Sequence, residues 1–262
     1  MNYKFNDENI LYRKELNGVS SITVTTTHQT LYLNPTLTEL YETRDTYSDT
    51  DELAKHIKDV LGEAAPNIEI IEKDYIEALF QFRAYNAVTL SNEPPQDSTD
   101  EIRVAGECDY HLISEFTLNH FSNELNYFAI ENKNYFSAQA IRIRQFNNNE
   151  YNILAFDEDG MVGNLVVGVP PVGSVFSWLG IQNIVFDNKI STEKQKEYLA
   201  KQIEFVRANF GSRYNKIRIY IYGDFSGKSL NLLKDMGFKH KCCFEKEIDK
   251  TMDLNVYDFF IN

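Results

Sequence analysis

The stretch Ser91-Asn92-Glu93-Pro94-Pro95-Gln96-Asp97-Ser98-Thr99-Asp100 constrains this chain more than any other feature. It is polar and without apolar periodicity. Its two consecutive prolines lock the backbone and remove hydrogen-bond donors, so neither a helix nor an inner strand can run through it. It reads as an extended linker. A chain of 262 residues then divides into two ordinary domains, residues 1–90 and 101–262, with 91–100 between them.

An apolar fraction of 43% and an aromatic fraction of 13% supply a core for each part and exclude wholesale disorder. No apolar run is long enough to span a bilayer, and Met1-Asn2-Tyr3-Lys4-Phe5 has no apolar signal region. A cytoplasmic protein without a membrane partner is the expectation. Neighbouring Cys242 and Cys243 would point to opposite faces of a strand, a poor disulfide and a poor metal clamp. With Cys108 and five scattered histidines, no ligand spacing emerges, so no metal is expected.

The formal charge of −13 is unevenly spread. Residues 1–100 hold 18 Asp and Glu against 8 Lys and Arg; residues 101–262 hold 21 against 18. Phosphates would be repelled by the first part, whereas a basic peptide would be attracted. Solubility alone explains the same charge equally well.

Two strands and three helices are legible in the first part. Ile22 and Val24 alternate with Ser and Thr, and Leu31 and Leu33 flank Tyr32. Helical spacing follows at Leu37, Leu40 and Tyr41, then at Leu53, Ile57, Val60 and Leu61, with Asp49 and Glu52 as an N-cap pair and Gly62 as the stop. A third stripe holds Ile68, Ile71, Tyr75, Leu79 and Phe82. This order is winged-helix-like. DNA binding would need a basic third helix, but residues 69–85 set Lys73 and Arg83 against Glu69, Glu72, Asp74 and Glu77. Nucleic acid is excluded.

The segment from Leu31-Tyr32-Leu33-Asn34-Pro35 to Leu40, with Asp49-Thr50-Asp51-Glu52-Leu53 and the third helix, resembles the PqqD-like domain over residues 10–90. That family is the peptide-recognition element of ribosomal-peptide modification systems. The resemblance implies that a precursor leader peptide adds as a strand to the sheet edge at Thr30, Leu31, Tyr32 and Leu33. Its groove wall would be Ile71, Tyr75, Leu79 and Phe82. An open edge offers main-chain hydrogen bonds and pockets for alternate side chains. Spacing alone places those four helix residues in a core stripe.

Beyond the linker come a strand, two helices and a long β run. Residues 151–156 and 161–169 form a hairpin about Glu158-Asp159-Gly160. Trp178 to Phe186 is a further strand, and Ser191 to Phe210 an amphipathic helix with Leu199, Ile203, Val206 and Phe210 on one face. Ile217, Ile219 and Ile221 alternate in the next strand. A helix from Ser226 to Met236 stops at Gly237, and two strands close the chain.

This order, with Leu232-Leu233-Lys234-Asp235-Met236-Gly237-Phe238 before the last strands, resembles the GNAT acyltransferase fold over residues 101–262. The whole chain is thus expected to be α/β in the α+β sense, a winged-helix-like domain followed by a mixed-sheet domain. The resemblance implies an acyl-CoA or other acyl thioester lying along Ile184, Val185 and Phe186. Its phosphates would meet Ser191, Thr192 and Lys194 at one helix start and Ser226 and Lys228 at the next.

Several positions depart from that family. Its glycine-rich pyrophosphate loop corresponds to Asp187-Asn188-Lys189-Ile190-Ser191-Thr192-Glu193-Lys194, which has no glycine to let backbone amides approach a phosphate. An ordinary capped helix start accounts for it. Its frequent tyrosine acid corresponds to Leu233, and its strand base to Gln182 or Asn183, neither able to take a proton near neutral pH. Tyr222, Asp224 and Gln182 remain as candidates to hold or orient a proton or water. Gly223, Gly227, Lys228 and Ser229 fall one residue short of a P-loop.

Two functions are compatible with these readings. In the first, the chain binds a leader peptide and acylates an amine of the core peptide. In the second, the GNAT-like domain is a non-catalytic scaffold that recruits other modification enzymes.

Overall fold

The computed structural model describes residues 1–14, 19–26, 28–62, 65–91, 101–121, 126–130, 132–171, 173–222, 227–247 and 252–261, with the backbone alone at 227–229. The chain forms two compact units, Met1–Thr99 and Asp100–Asn262. Residues 92–100 of the expected linker lie outside the described residues.

In the first unit β1 (Asn2–Phe5) pairs antiparallel with β5 (Val88–Ser91). A separate antiparallel meander joins β2 (Ile10–Lys14), β3 (Ser20–Val24) and β4 (Gln29–Leu33) in that order. The alternation expected for β3 and β4 is present, with Ile22, Val24, Leu31 and Leu33 buried. Strands β1, β2 and β5 escaped the sequence reading, although Tyr3 and Phe5 alternate with exposed neighbours in β1. Four residues without a turn signal are too few to declare a strand.

Three helices follow β4. Helix α1 (Pro35–Glu42) has proline at its first turn and is capped by Asn34, whose Oδ1 accepts the Leu37 N–H at 2.8 Å. Helix α2 (Thr50–Leu61) starts where Asp49 accepts the amides of Asp51 and Glu52 and ends at Gly62, whose φ of +62° suits glycine. Helix α3 (Ile68–Ala84) buries Ile71, Tyr75, Leu79 and Phe82. Phe5, Tyr41 and Phe82 meet edge-on or tilted at the centre, with centroids 4.9 to 6.3 Å apart. Each such ring contributes about 1.5–3 kcal/mol by leaving water.

In the second unit a large mixed sheet carries every other element. Its strands are β6 (Ile102–Val104), β7 (Tyr127–Phe128), β8 (Glu150–Asp157), β9 (Gly160–Gly168), β10 (Trp178–Phe186), β11 (Lys216–Tyr222), β12 (Lys239–Phe244) and β13 (Leu254–Phe260). They lie in the order β12-β13-β11-β10-β9-β8-β6, with β7 against β10. Helices α4 (Tyr110–Asn119), α5 (Ala138–Phe146), α6 (Thr192–Phe210) and α7 (Gly227–Asp235) connect them. The protein is α+β, and the elements expected from the sequence in this unit occur in the expected order, with β7 inserted between α4 and α5.

Leu199, Ile203 and Val206 of the stripe expected on α6 are buried in one core with Ile153, Leu165, Leu179 and Ile217 of the sheet, and α6 lies against β6, β8 and β9. Two irregularities of β10 open the middle of that sheet. Its parallel pairing with β11 extends only over Trp178–Gly180, after which the two strands part. Its register against β9 shifts between Ile181 and Asn183, a β-bulge that swings the strand's second half.

Candidate functional site

Strand β4 is the terminal strand of its sheet, and no described strand pairs with its outer side. Leu31 and Leu33 point into the core, while Thr30 and Tyr32 stand on the other face, Tyr32 with 73% of its surface exposed. Thr30 shares a hydroxyl hydrogen bond of 2.9 Å with Thr23 of β3. The opposite edge, β2, carries Arg13 and Lys14, the latter bonded to Glu42 at 2.7 Å. Charged side chains blunt an edge against strand addition. Nothing in Gln29-Thr30-Leu31-Tyr32-Leu33 does so.

The groove wall expected on α3 is not a wall. Ile71, Tyr75, Leu79 and Phe82 are all buried, and burial pushes the Tyr75 hydroxyl up to about 12. These residues anchor α3 to its own unit, because a stripe spaced for one helix face is drawn to the nearest core. Of the eight residues expected to meet a peptide, only Thr30 and Tyr32 of β4 are exposed.

The fork between β10 and β11 is the place expected for an acyl thioester along Ile184, Val185 and Phe186. The chain fills it with its own residues 126–129. Asn183 and Ile184 pair with Phe128 and Tyr127 of β7, and the Ala129 N–H donates to the Gln182 carbonyl at 2.8 Å. The Phe186 N–H donates to Asn126 Oδ1 at 2.9 Å, and Asn126 Nδ2 donates back to the Phe186 carbonyl at 3.3 Å. Val185 is paired on the other side, to Asn164 of β9.

Bonds also run from the inserted segment to β11. The Tyr127 hydroxyl donates to the Tyr220 carbonyl, and the Tyr222 hydroxyl donates to the Phe128 carbonyl at 3.1 Å. Tyr127 is buried, and its hydroxyl is held far above the ordinary tyrosine range by that burial. With both flanks of the fork bonded to this segment, the main-chain groups that a thioester's amide arm would need are already satisfied. The residues present do not fit an acyl-CoA.

The start of α6 offers no better phosphate site. Ser191 caps α6, its Oγ accepting the Lys194 N–H at 3.3 Å, and Thr192 is the first helical residue. A cavity of about 530 Å³ beside them is lined by Asp157, Asp159 and Asp187 as well as Lys189 and Lys194. Its carboxylates outnumber its ammonium groups, so an anion gains little there. Lys228 lies on α7, whose backbone alone is described at that position, and Asp224 and Ser226 fall outside the described residues.

Of the proton-handling candidates, Tyr222 is committed to Phe128, and Gln182 lines a different, smaller cavity. Leu233 is core. The structure thus brings Ile184, Phe186, Gln182 and Tyr222 together around β7 and gives them no shared reaction centre. The sequence reading missed Asn126 and Tyr127, which carry no motif; their place is set by the strand they meet. Among the described residues no cluster of His, Cys, Asp or Glu could hold a metal ion, and no helix is long and apolar enough to cross a membrane.

No family model matches the sequence, and no curated protein matches it. Solved structures similar to this chain include a protein of Streptococcus mutans UA159, at 16% identity over 62% of this chain and 100% of that one, TM-score 0.49. Another is the ribosomal-protein-alanine N-acetyltransferase of Brucella melitensis, at 19% identity over 61% and 98%, TM-score 0.48. A third is an N-acetyltransferase of Staphylococcus aureus Mu50, at 16% identity over 62% and 98%, TM-score 0.47.

Proposed function

We propose that this chain captures an extended peptide as an added strand on β4, in the manner of a leader-peptide carrier. In the same reading, residues 101–262 act as a docking scaffold for another modifying enzyme and not as an acyl-CoA-dependent transferase. The observation that carries the proposal is the contrast between two edges: β4 is unpaired and uncharged, and the β10 edge is filled by the chain itself.

Strand addition draws its affinity from main-chain hydrogen bonds and its selectivity from alternate side chains. Tyr32 supplies one such contact on the exposed face. The excess of Asp and Glu in residues 1–100, 18 against 8 Lys and Arg, favours a basic peptide over an acidic one. The glycine-free loop before α6 supports the scaffold role of the second unit.

Labelled peptides of equal length and graded net charge, titrated onto the full chain by fluorescence anisotropy, test the first half. Basic peptides should bind saturably, and Tyr32→Lys should weaken them about tenfold. Peptide binding indifferent to Tyr32→Lys removes β4 as the site. Acetyl-CoA and longer acyl-CoAs test the second half. None should raise the melting temperature, and a saturable rise with any of them overturns the scaffold role.

A further inference from the structure

A small cavity of about 220 Å³ opens where β8, β9 and β10 end together, and it contains a buried carboxylate. Glu150 is 2% exposed. Its Oε2 accepts the Arg144 Nε–H at 2.8 Å and the Tyr135 hydroxyl at 3.0 Å. The Arg144 guanidinium lies 3.5 Å from the Tyr135 ring centroid, which stiffens the trio. Burial and then the Glu150 charge push the Tyr135 hydroxyl up to about 12, so it stays a donor.

The other oxygen is different. Glu150 Oε1 takes no hydrogen bond from the described residues, and Glu150 lines the cavity. A carboxylate oxygen that lines a cavity and accepts from no described residue is open there to a ligand's donor. Gln182 lines the same cavity with a side-chain amide that no described residue engages. It sits so close to Gly168 that a Cβ there would lie 2.6 Å from Gln182 Nε2. Trp178, Pro170 and Pro171 supply apolar walls.

Charge decides what such a cavity takes. Arg144 already balances Glu150. A cationic ligand would meet the Arg144 guanidinium, and an anionic one would face the Glu150 carboxylate. Either leaves an uncompensated charge in a partly dry site. A neutral ligand with a donor and an acceptor side by side does not.

We propose that this cavity binds a primary carboxamide. Its N–H donates to Glu150 Oε1, its carbonyl accepts from the Gln182 amide, and its short apolar stem lies against Trp178 and the prolines. The volume suits a single side chain or a small free amide. The same chemistry comes from an Asn or Gln side chain of a peptide or from a free molecule. The site is independent of peptide capture on β4.

Trp178 is the only tryptophan of the chain, so fluorescence excited selectively at tryptophan reads this cavity. Propionamide, propylammonium, propionate and a capped Ala-Gln-Ala peptide are titrated onto the full chain. Propionamide should give a saturable change on the order of millimolar, as befits a ligand of so few atoms. Gln182→Met, which keeps side-chain size, and Glu150→Gln should each weaken it about tenfold. Tighter binding of the Ala-Gln-Ala peptide assigns the site to peptides; weaker or equal binding assigns it to free amides. Saturation by propylammonium or propionate as tight as by propionamide overturns the proposal. So does the absence of saturation with every probe, or an unchanged response in Gln182→Met, which also decides the matter if Glu150→Gln does not fold.

Discussion

Asn126 holds both main-chain groups of Phe186, accepting its N–H at 2.9 Å and donating to its carbonyl at 3.3 Å. A side-chain amide thus acts as the next residue of a strand, and β7 continues the same pairing toward the bulge. The edge that parts from β11 is closed by the chain's own residues, and the strength of that closure can be measured.

Replacing Asn126 by alanine leaves the buried Phe186 N–H and C=O without partners. Each lost bond of this kind costs about 1–3 kcal/mol. Asn126→Ala should therefore lower stability by roughly 2–4 kcal/mol, read as a shift of the urea midpoint at unchanged slope. A change within about 0.5 kcal/mol would show that the segment is not seated on β10 in solution.

Tyr127→Phe removes one buried hydroxyl bond to the Tyr220 carbonyl while keeping the ring. The expected loss is about 1 kcal/mol, whereas Tyr127→Ala also vacates core volume and should cost about 3–5 kcal/mol. Equal effects of the two variants would mean that the ring contributes nothing to the packing.

Asp258 gives a pH dependence. It is buried between Lys216 at 2.9 Å and Arg218 at 2.7 Å. Burial alone would raise its pKa, but the hydrogen bonds from Arg218 and Lys216 outweigh it and hold the carboxyl below its usual range. A folded pKa below the unfolded one adds stability that is present above the unfolded value and is lost as pH falls through the folded one. Stability from this group should thus be complete at pH 7 and decline below about pH 4. Asp258→Asn should cost about 2–3 kcal/mol at pH 7, less than a fully buried pair because both cations are partly exposed, and should flatten the acid limb of the stability curve. An acid limb identical to that of the unchanged chain would assign the loss to other carboxylates.

On the first unit, Leu79→Ala should cost about 2–5 kcal/mol, because Leu79 is fully buried. Tyr32→Lys should change stability by less than about 0.5 kcal/mol, so its effect on peptide binding is separable from folding. Urea titration of both variants checks the contrast.

The caps at Asp49 and Ser191 and the stripes on α3 and α6 were legible in the amino-acid order, whereas of the stripe expected on α2 only Leu53 is buried and Val60 and Leu61 stand exposed. Each depends on neighbours within a few residues, and local sterics and hydrogen bonds act at that range. What the third helix's stripe packs against was not legible. Ile71, Tyr75, Leu79 and Phe82 have the same spacing whether they face a core or a groove, and only the assembled unit buried them.

Strand β7 shows the same limit more strongly. Asn126-Tyr127-Phe128-Ala129 has too little length to announce a strand, and its partners Phe186 and Tyr220 lie 60 residues or more away along the chain. Long-range pairing of this kind is selected by the main-chain groups that β10 exposes where it leaves β11, and those exist only once the sheet has formed. Periodicity therefore determined most of the elements and their relative order, while tertiary contact alone decided that the fork between two of them would be filled from within.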